Sequence, residues 1–459
     1  MAKTSALTEQ FFEKALLAIK DRNYERAAAL LVETIKLKPD YAEAWVVRGN
    51  VVHALGRYFD SLLHYDRALE LNPKLHDGWC NRGIAFSDIG LWESAEECFK
   101  KSLELLPAVE PHMNLANMYC HTMRLDDAER EYRACLEIEP GNYDAHINLG
   151  ITLLGMGKWK EGWLEYLWRH RNTPYPPRSA RYFNRWLGED LKDKTIILYP
   201  EQGFGDEILF MRYASVLKEH GAGKVILEAR APLLRLAKTV QGVDEVVLYN
   251  DIPPLGIDLS CALMDVPMFL GHDKPCKFRY PVYLKPPLPD QRRFPSLRGN
   301  DFKVGLCWSA GQRPLQPETA ATAAMKSIHL EWLKVLAMPG VQLVSLQKEH
   351  NDDKLVKELG MIDHMGGVQD FSDTAEIIAP LNLVISVDTA VAHLAGAMGK
   401  LVWNLTRFNA YWPWGMAVTE TDWYGSMRLM RQPQIADWGT PIKLAVNSLR
   451  ELVDRKKAA

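Results

Sequence analysis

The stretch WVVRGNVVHALGRYFDSLLHYDRALELNP, residues 45–73, returns in outline as WCNRGIAFSDIGLWESAEECFKKSLELLP, residues 79–107. Each opens on tryptophan, places one glycine in its first half and another near its middle, and closes on proline. Working outward, Pro39, Pro73, Pro107, Pro140 and Pro174 fall 34, 34, 33 and 34 residues apart. A period near 34 is that of a helix–turn–helix repeat, in which each pair covers its apolar face with the next. The repeat fills the first third of the chain and stops. Strand-like runs, glycine turns and helices follow.

Within the repeats, a large residue opens each first helix: Phe11, Trp45, Trp79, Met113 and His146. A small one follows at Ala15, Gly49, Gly83, Ala116 and Gly150. Gly56, Gly90 and Gly157 stand where the chain must reverse, a place that calls for a left-handed residue. Ala27, Ser61, Ala95, Ala128 and Gly162 keep the second helix close to the first. These residues resemble the tetratricopeptide repeat family over residues 8–174, about five repeats. Asn81, Asn114 and Asn148 hold equivalent places on successive first helices. A carboxamide both donates and accepts, so such a row suits a peptide backbone. The row also resembles the asparagine ladder on which protein O-GlcNAc transferases hold acceptor polypeptides.

Charge and composition narrow the function. With 55 basic and 58 acidic side chains the net charge is −3, and no cationic stripe points to nucleic acid or an anionic membrane. The opening MAKTSALTEQFFEKALLAIKDR has no uninterrupted apolar core, so no secretory signal is expected, and no stretch reaches the length of a membrane span. Cys80, Cys98, Cys120, Cys135, Cys261, Cys276 and Cys307 form no CxxC pair; they read as reduced thiols of a cytoplasmic protein. The scattered histidines and the absence of a carboxylate pair at a strand end give no reason to expect a metal.

The second part reads as α/β. After the linker 174–181, strands are expected at Thr195–Tyr199, Lys224–Glu228, Glu245–Tyr249 and Ile257–Ala262, with a helix from about 204 to Lys218. A proline-rich passage from Pro281 to Pro295 connects to further strands at Lys303–Trp308, Val341–Gln347, Leu383–Val387 and Leu401–Asn404. Thr440-Pro441 starts a last helix. Two such lobes (194–285 and 301–455) resemble the GT-B glycosyltransferase architecture, a double Rossmann-like unit with the donor on the second lobe.

Local motifs extend the resemblance. GFGDE at 203–207 is similar to the Gly-Asp turn of the heptosyltransferase-like family, glycosyltransferase family 9, which implies Asp206 as general base, with Gly203 and Gly205 lining the donor. Aspartate there also suits a helix cap; Glu201 and Glu207 are nearby carboxylates. Asp388-Thr389-Ala390-Val391-Ala392-His393 matches that family's D-T-x-x-x-H stretch and runs from a strand into a helix. Its first amides face outward where a pyrophosphate docks, and His393 sits one turn inside. Lys326, after the loop Gly311–Ala324, corresponds to a basic residue that meets donor phosphates in related enzymes. Gln347 and Lys348 end a strand at the same edge and are expected donor contacts. The aromatic stretch Arg407–Gly415 suits a sugar face, a base, or packing between lobes.

The family resemblance implies an inverting glycosyltransferase without a cofactor. Its substrate is a nucleotide sugar and its acceptor a protein, as in bacterial enzymes that decorate flagellins. A lipopolysaccharide core heptosyltransferase and an inactive repeat scaffold are the alternatives. Self-association into a homo-oligomer is left open.

Overall fold

The computed structural model describes residues 2–171, 184–271, 282–286, 294–297, 299–311, 323–416 and 419–458. Pro174, the linker 174–181, Cys276, most of the Pro281–Pro295 passage and residues 312–322 of the Gly311–Ala324 loop lie outside them. The chain forms two compact units, Met1–Thr152 and Leu153–Ala459.

The first unit is a run of antiparallel helix pairs: α1 Ala2–Lys20 with α2 Tyr24–Leu37, α3 Ala42–Ala54 with α4 Tyr58–Leu71, α5 His76–Asp88 with α6 Trp92–Leu105, and α7 Val109–His121 with α8 Leu125–Ile138. The sequence period has a direct cause. Trp45 Nε1 donates to the carbonyl of Pro39 at 2.9 Å, and Trp79 Nε1 to that of Pro73 at the same distance. His146 Nε2 meets the Pro140 carbonyl at 3.0 Å. Each opening ring is thereby tied to the proline that ends the preceding pair. The small residues are equally constrained: a Cβ on Gly49 would come within 2.4 Å of the Tyr65 ring, and one on Gly83 within 2.7 Å of Phe99. Gly56, Gly90 and Gly157 take φ values of 75°, 79° and 77°. Arg22 and Met123 fill the same left-handed turn position in the other repeats, at 57° and 59°, where the sequence offers no glycine.

The helix α9, Tyr143–Gly155, crosses into the second unit, and α10, Trp159–Tyr166, belongs to it. The expected repeat array ran to residue 174, but the compact break falls earlier. Its reason is aromatic: Trp163 of α10 is buried and meets Phe210 and Trp412 edge-on, with centroids 6.2 and 5.5 Å apart.

The rest of the second unit holds two parallel five-stranded sheets. The strands are β1 Asn184–Arg185, β2 Thr195–Tyr199, β3 Lys224–Ala229, β4 Glu245–Leu248 and β5 Leu259–Ala262, then β6 Phe302–Cys307, β7 Val341–Ser345, β8 Leu383–Val387, β9 Val402–Thr406 and β10 Met427–Arg431. The first sheet runs β1-β5-β2-β3-β4 and the second β10-β9-β8-β6-β7. Strand order reverses between β2 and β5 in one, and between β6 and β8 in the other. Parallel sheets place ligands outside the strand C-termini at such points. On one face of the second sheet Ile385, Val387, Trp403 and Leu405 pack with Ile442, Leu449 and Val453 of the terminal helix Gly439–Ala458.

Two strands, β1 and β10, were not expected. The helix expected from 204 to 218 is two, Phe204–Phe210 and Tyr213–Glu219, with Met211 and Arg212 between them still right-handed. Arg212 there is fully buried. It donates to the Trp423 carbonyl at 2.6 Å and to Tyr283 Oη at 3.1 Å.

Candidate active site

The site is built where two helices meet, one leaving each sheet. The helix Phe204–Phe210 follows β2, and the helix Ala390–Ala397 follows β8 and packs against it. Close approach depends on Gly205: a Cβ there would lie 2.8 Å from His393 Cδ2. His393 is 3% exposed, stacks against Trp414 at 4.8 Å and shares a 3.0 Å hydrogen bond between Nδ1 and Tyr424 Oη. Burial lowers its pKa to about 4, so it is neutral near pH 7. Gly205 and His393, both expected to line the donor, are the contact surface between lobes.

Asp206 does two things with its two oxygens. Oδ2 accepts from the Gly203 amide at 2.9 Å, capping the helix, while Oδ1 accepts from Tyr411 Oη at 2.7 Å. The cap offered by the sequence is thus present, and the second oxygen is held by a tyrosine of the other lobe. Burial pushes this carboxyl above the ordinary aspartate range, against those two hydrogen bonds.

Asp388, at the end of β8, pairs with Lys326 Nζ at 2.6 Å and accepts from Trp414 Nε1 at 2.9 Å. Burial alone would raise its pKa, but Lys326 outweighs that and holds it below the usual range. Thr389 stands at the N-cap position of the helix Ala390–Ala397 without a side-chain bond to its amides, and its hydroxyl lies 2.9 Å from Ser386 Oγ instead. Lys326, Asp388, Thr389 and Ala390 thus share one edge of the second sheet.

Gln347 and Lys348 are spent differently. The Gln347 carbonyl accepts from the amides of Trp308 and Ser309 at 3.2 and 2.9 Å, fastening the end of β6 to the end of β7. Lys348 turns to the Val368 and Met365 carbonyls. Of the other carboxylates, Glu207 is buried against Arg230, which donates from Nε at 2.6 Å. Glu201 joins His170 and Asp265 in a group able to ligate a metal. Its anionic faces are already taken by guanidinium groups. Arg169 Nη2 lies 2.8 Å from Glu201 and 2.5 Å from Asp265, and Arg185 Nη2 lies 2.8 Å from Asp265.

The repeat asparagines sit half-buried on α5, α7 and α9. Asn114 Nδ2 contacts Cys80 Sγ at 3.6 Å and Asn148 Nδ2 reaches Asn117 Oδ1 at 3.4 Å. Both contacts are long and weak, so they leave the amides open to exchange for a better partner.

Two residues had no individual role from sequence. Tyr411 was one of several aromatics in its stretch. Arg407, at the C-terminal end of β9, makes no ion pair among the described residues; its Nη1 reaches Met325 Sδ at 3.9 Å, and Asp388 is within electrostatic range.

The geometry is that of a run of paired helices followed by a parallel-sheet α/β unit. Residues 12–76 match the tetratricopeptide repeat family. The chain is 26% identical to Protein FlbA of Caulobacter vibrioides, over 95% of this chain and 71% of that protein. It is 32% identical to the UDP-N-acetylglucosamine–peptide N-acetylglucosaminyltransferase of Giardia intestinalis, over 20% of this chain and 6% of that one. Protein O-mannosyl-transferase TMTC3 of Homo sapiens is 26% identical over 46% of this chain and 26% of its own length. The chain therefore spans only a small part of the two transferases. Among solved structures, MamA matches with a TM-score of 0.34 at 17% identity, over 40% of this chain and 97% of that one. No helix among the described residues is long and apolar enough to cross a membrane.

Proposed function

We propose that this chain is a GT-B type glycosyltransferase that moves a sugar, with inversion and without a metal, from a nucleotide-sugar donor to a polypeptide held by its repeats. The observation that carries this reading is the convergence of a raised carboxylate, Asp206, with a cationic helix terminus around Lys326 and Thr389, one from each sheet. Partial similarity to two protein glycosyltransferases supports it.

In this mechanism an acceptor hydroxyl or amide attacks the anomeric carbon while the bond from that carbon to the phosphate oxygen breaks. The acceptor proton passes to Asp206, whose burial raises its proton affinity above that of an ordinary aspartate, the direction a general base needs. Charge builds on the departing phosphate. Lys326, Arg407 and the amides that open the helix Ala390–Ala397 lie at the edge where it would collect. Asp388 pairs directly with Lys326 and acts on Arg407 only at longer range, so among the described residues Arg407 is the less neutralised of the two cations. The asparagine row would hold the polypeptide by its backbone, a recognition that tolerates many side chains.

A labelled nucleotide-sugar panel incubated with cell extract tests the reading. Label is expected in protein, and Asp206→Asn should lower transfer at least ~100-fold, the usual scale of a lost general base. Label in lipid, or transfer by that variant at near the parent rate, would refute it.

A further inference from the structure

We infer that Tyr411 is a positioning residue for Asp206, reaching across from the other lobe so that the base is set only when the two lobes are together. The inference rests on the reading of Asp206 as the base. Tyr411 follows β9 of the second sheet, whereas Asp206 follows β2 of the first, and their hydrogen bond is 2.7 Å.

The turn that carries Tyr411 is fastened from below. Arg431 of β10 donates from Nη1 to the carbonyls of Phe408 and Met416 at 3.3 and 2.8 Å. From Nη2 it reaches those of Trp414 and Gly415 at 3.0 and 2.7 Å. Gly415 takes φ 61°, the left-handed turn such a wrap requires, and Trp412 and Trp414 are buried on either side. The same turn holds both carboxylates of the site: Tyr411 donates to Asp206 and Trp414 to Asp388. A hydroxyl wanted only for packing would find a carbonyl on its own lobe. Spending it on a carboxylate of the opposite lobe makes a charge-assisted bond that is lost on opening.

The groups that act on Asp206 come from every side. They are Tyr411 and the Gly203 amide by hydrogen bond, Asp388 and Lys326 from the second lobe, and Tyr166 from α10. Removing the Tyr411 hydroxyl takes away a contact that favours the ionised carboxylate, so Asp206 would then bind its proton at higher pH.

The test is a carboxyl NMR titration of the full chain labelled at aspartate side chains, with Asp206→Asn assigning the signal. Tyr411→Phe should move the Asp206 titration to higher pH. Arg431→Lys, which loosens the turn without touching Asp206, should move it the same way. The acid limb of sugar transfer should follow. A titration unmoved in both variants overturns the inference, as does a transfer rate lowered equally at every pH. The base reading fails separately: it falls if Asp206→Asn still transfers sugar, whatever Tyr411→Phe does.

Discussion

His393 is the residue at which burial most visibly overrides ordinary chemistry. It lies between Gly205, Trp414 and Tyr424 with its pKa held to about 4, while in the unfolded chain it titrates near 6.5. The folded value is the lower one, so its contribution to stability is full above 6.5. It fades as pH falls towards 4, because the unfolded chain binds the proton first. At full effect this is roughly 3 kcal/mol, from about 1.4 kcal/mol per unit. Thermal unfolding from pH 7 down to 4 should therefore show a falling midpoint. His393→Asn, which keeps a polar group of similar reach but does not titrate, should flatten that slope. An identical slope in the variant would mean that other groups govern acid sensitivity. Sequence alone placed this histidine inside a helix, in a motif, but gave no view of the ring across the interface. Asp206 was legible in part: its place after GFG announced a cap or a base, and the fold shows the cap on one oxygen and a tyrosine hydroxyl on the other. Tyr411 and Arg407 were not legible as individuals, because their meaning comes from partners more than 80 residues away in the chain.

At the scale of elements, what the sequence announced were the features with a local cause. The proline period, the glycines at 56, 90 and 157 and the strand β8 stand where expected, since turn geometry and apolar runs are written in adjacent residues. The left-handed turns at Arg22 and Met123 were hidden because their side chains do not advertise φ. β1 is two residues long, and β10, Met427-Arg428-Leu429-Met430-Arg431, mixes apolar and basic residues without a strict alternation at a sheet edge. Neither gives a strong local signal. The contact between the helices Phe204–Phe210 and Ala390–Ala397 offers a test at this scale. Alanine at Gly205 would favour the helix by about 1 kcal/mol on propensity alone. Its methyl would press on a ring caged by Trp414 and Tyr424, and overpacking of this kind costs ~1–3 kcal/mol. The clash wins by a small margin. Gly205→Ala is expected to lower the unfolding midpoint slightly and transfer activity much more, since it displaces Asp206 next door. Calorimetry paired with labelled transfer checks this; an unchanged rate would show that the helices do not need to touch for function.

Across the whole α/β unit, the two lobes are held by contacts of contrasting kinds. Near the centre Arg212 is a buried cation with no carboxylate partner among the described residues, satisfied by the Trp423 carbonyl and the Tyr283 hydroxyl and flanked by aromatic faces. At the rim Arg235 of the first lobe forms an exposed fork. Its Nε and Nη2 meet Asp370 at 2.6 and 2.7 Å, and Nη2 also meets Asp373 at 2.6 Å, both at the start of the helix Phe371–Ile378. The central contact is desolvated and insensitive to salt, whereas the rim pair is screened within about 8–10 Å at ordinary ionic strength. Arg235 itself is exposed, so its pair with Asp370 contributes only ~0.2–1 kcal/mol; the buried Asp373 still accepts from the Gln369 amide when the arginine is removed, so losing this fork should leave the fold intact. The same energy matters more to an equilibrium between closed and open lobes, where 1 kcal/mol changes the population about fivefold. Arg235→Ala is therefore expected to leave the unfolding midpoint within about 2 °C while raising the donor KM several-fold at low salt. Parent and variant should converge as salt rises to about 0.5 M, because screening removes from the parent what the substitution removes from the variant. If the two KM values differ by the same factor at every salt concentration, the fork acts by packing rather than by charge, and the lobes are latched elsewhere.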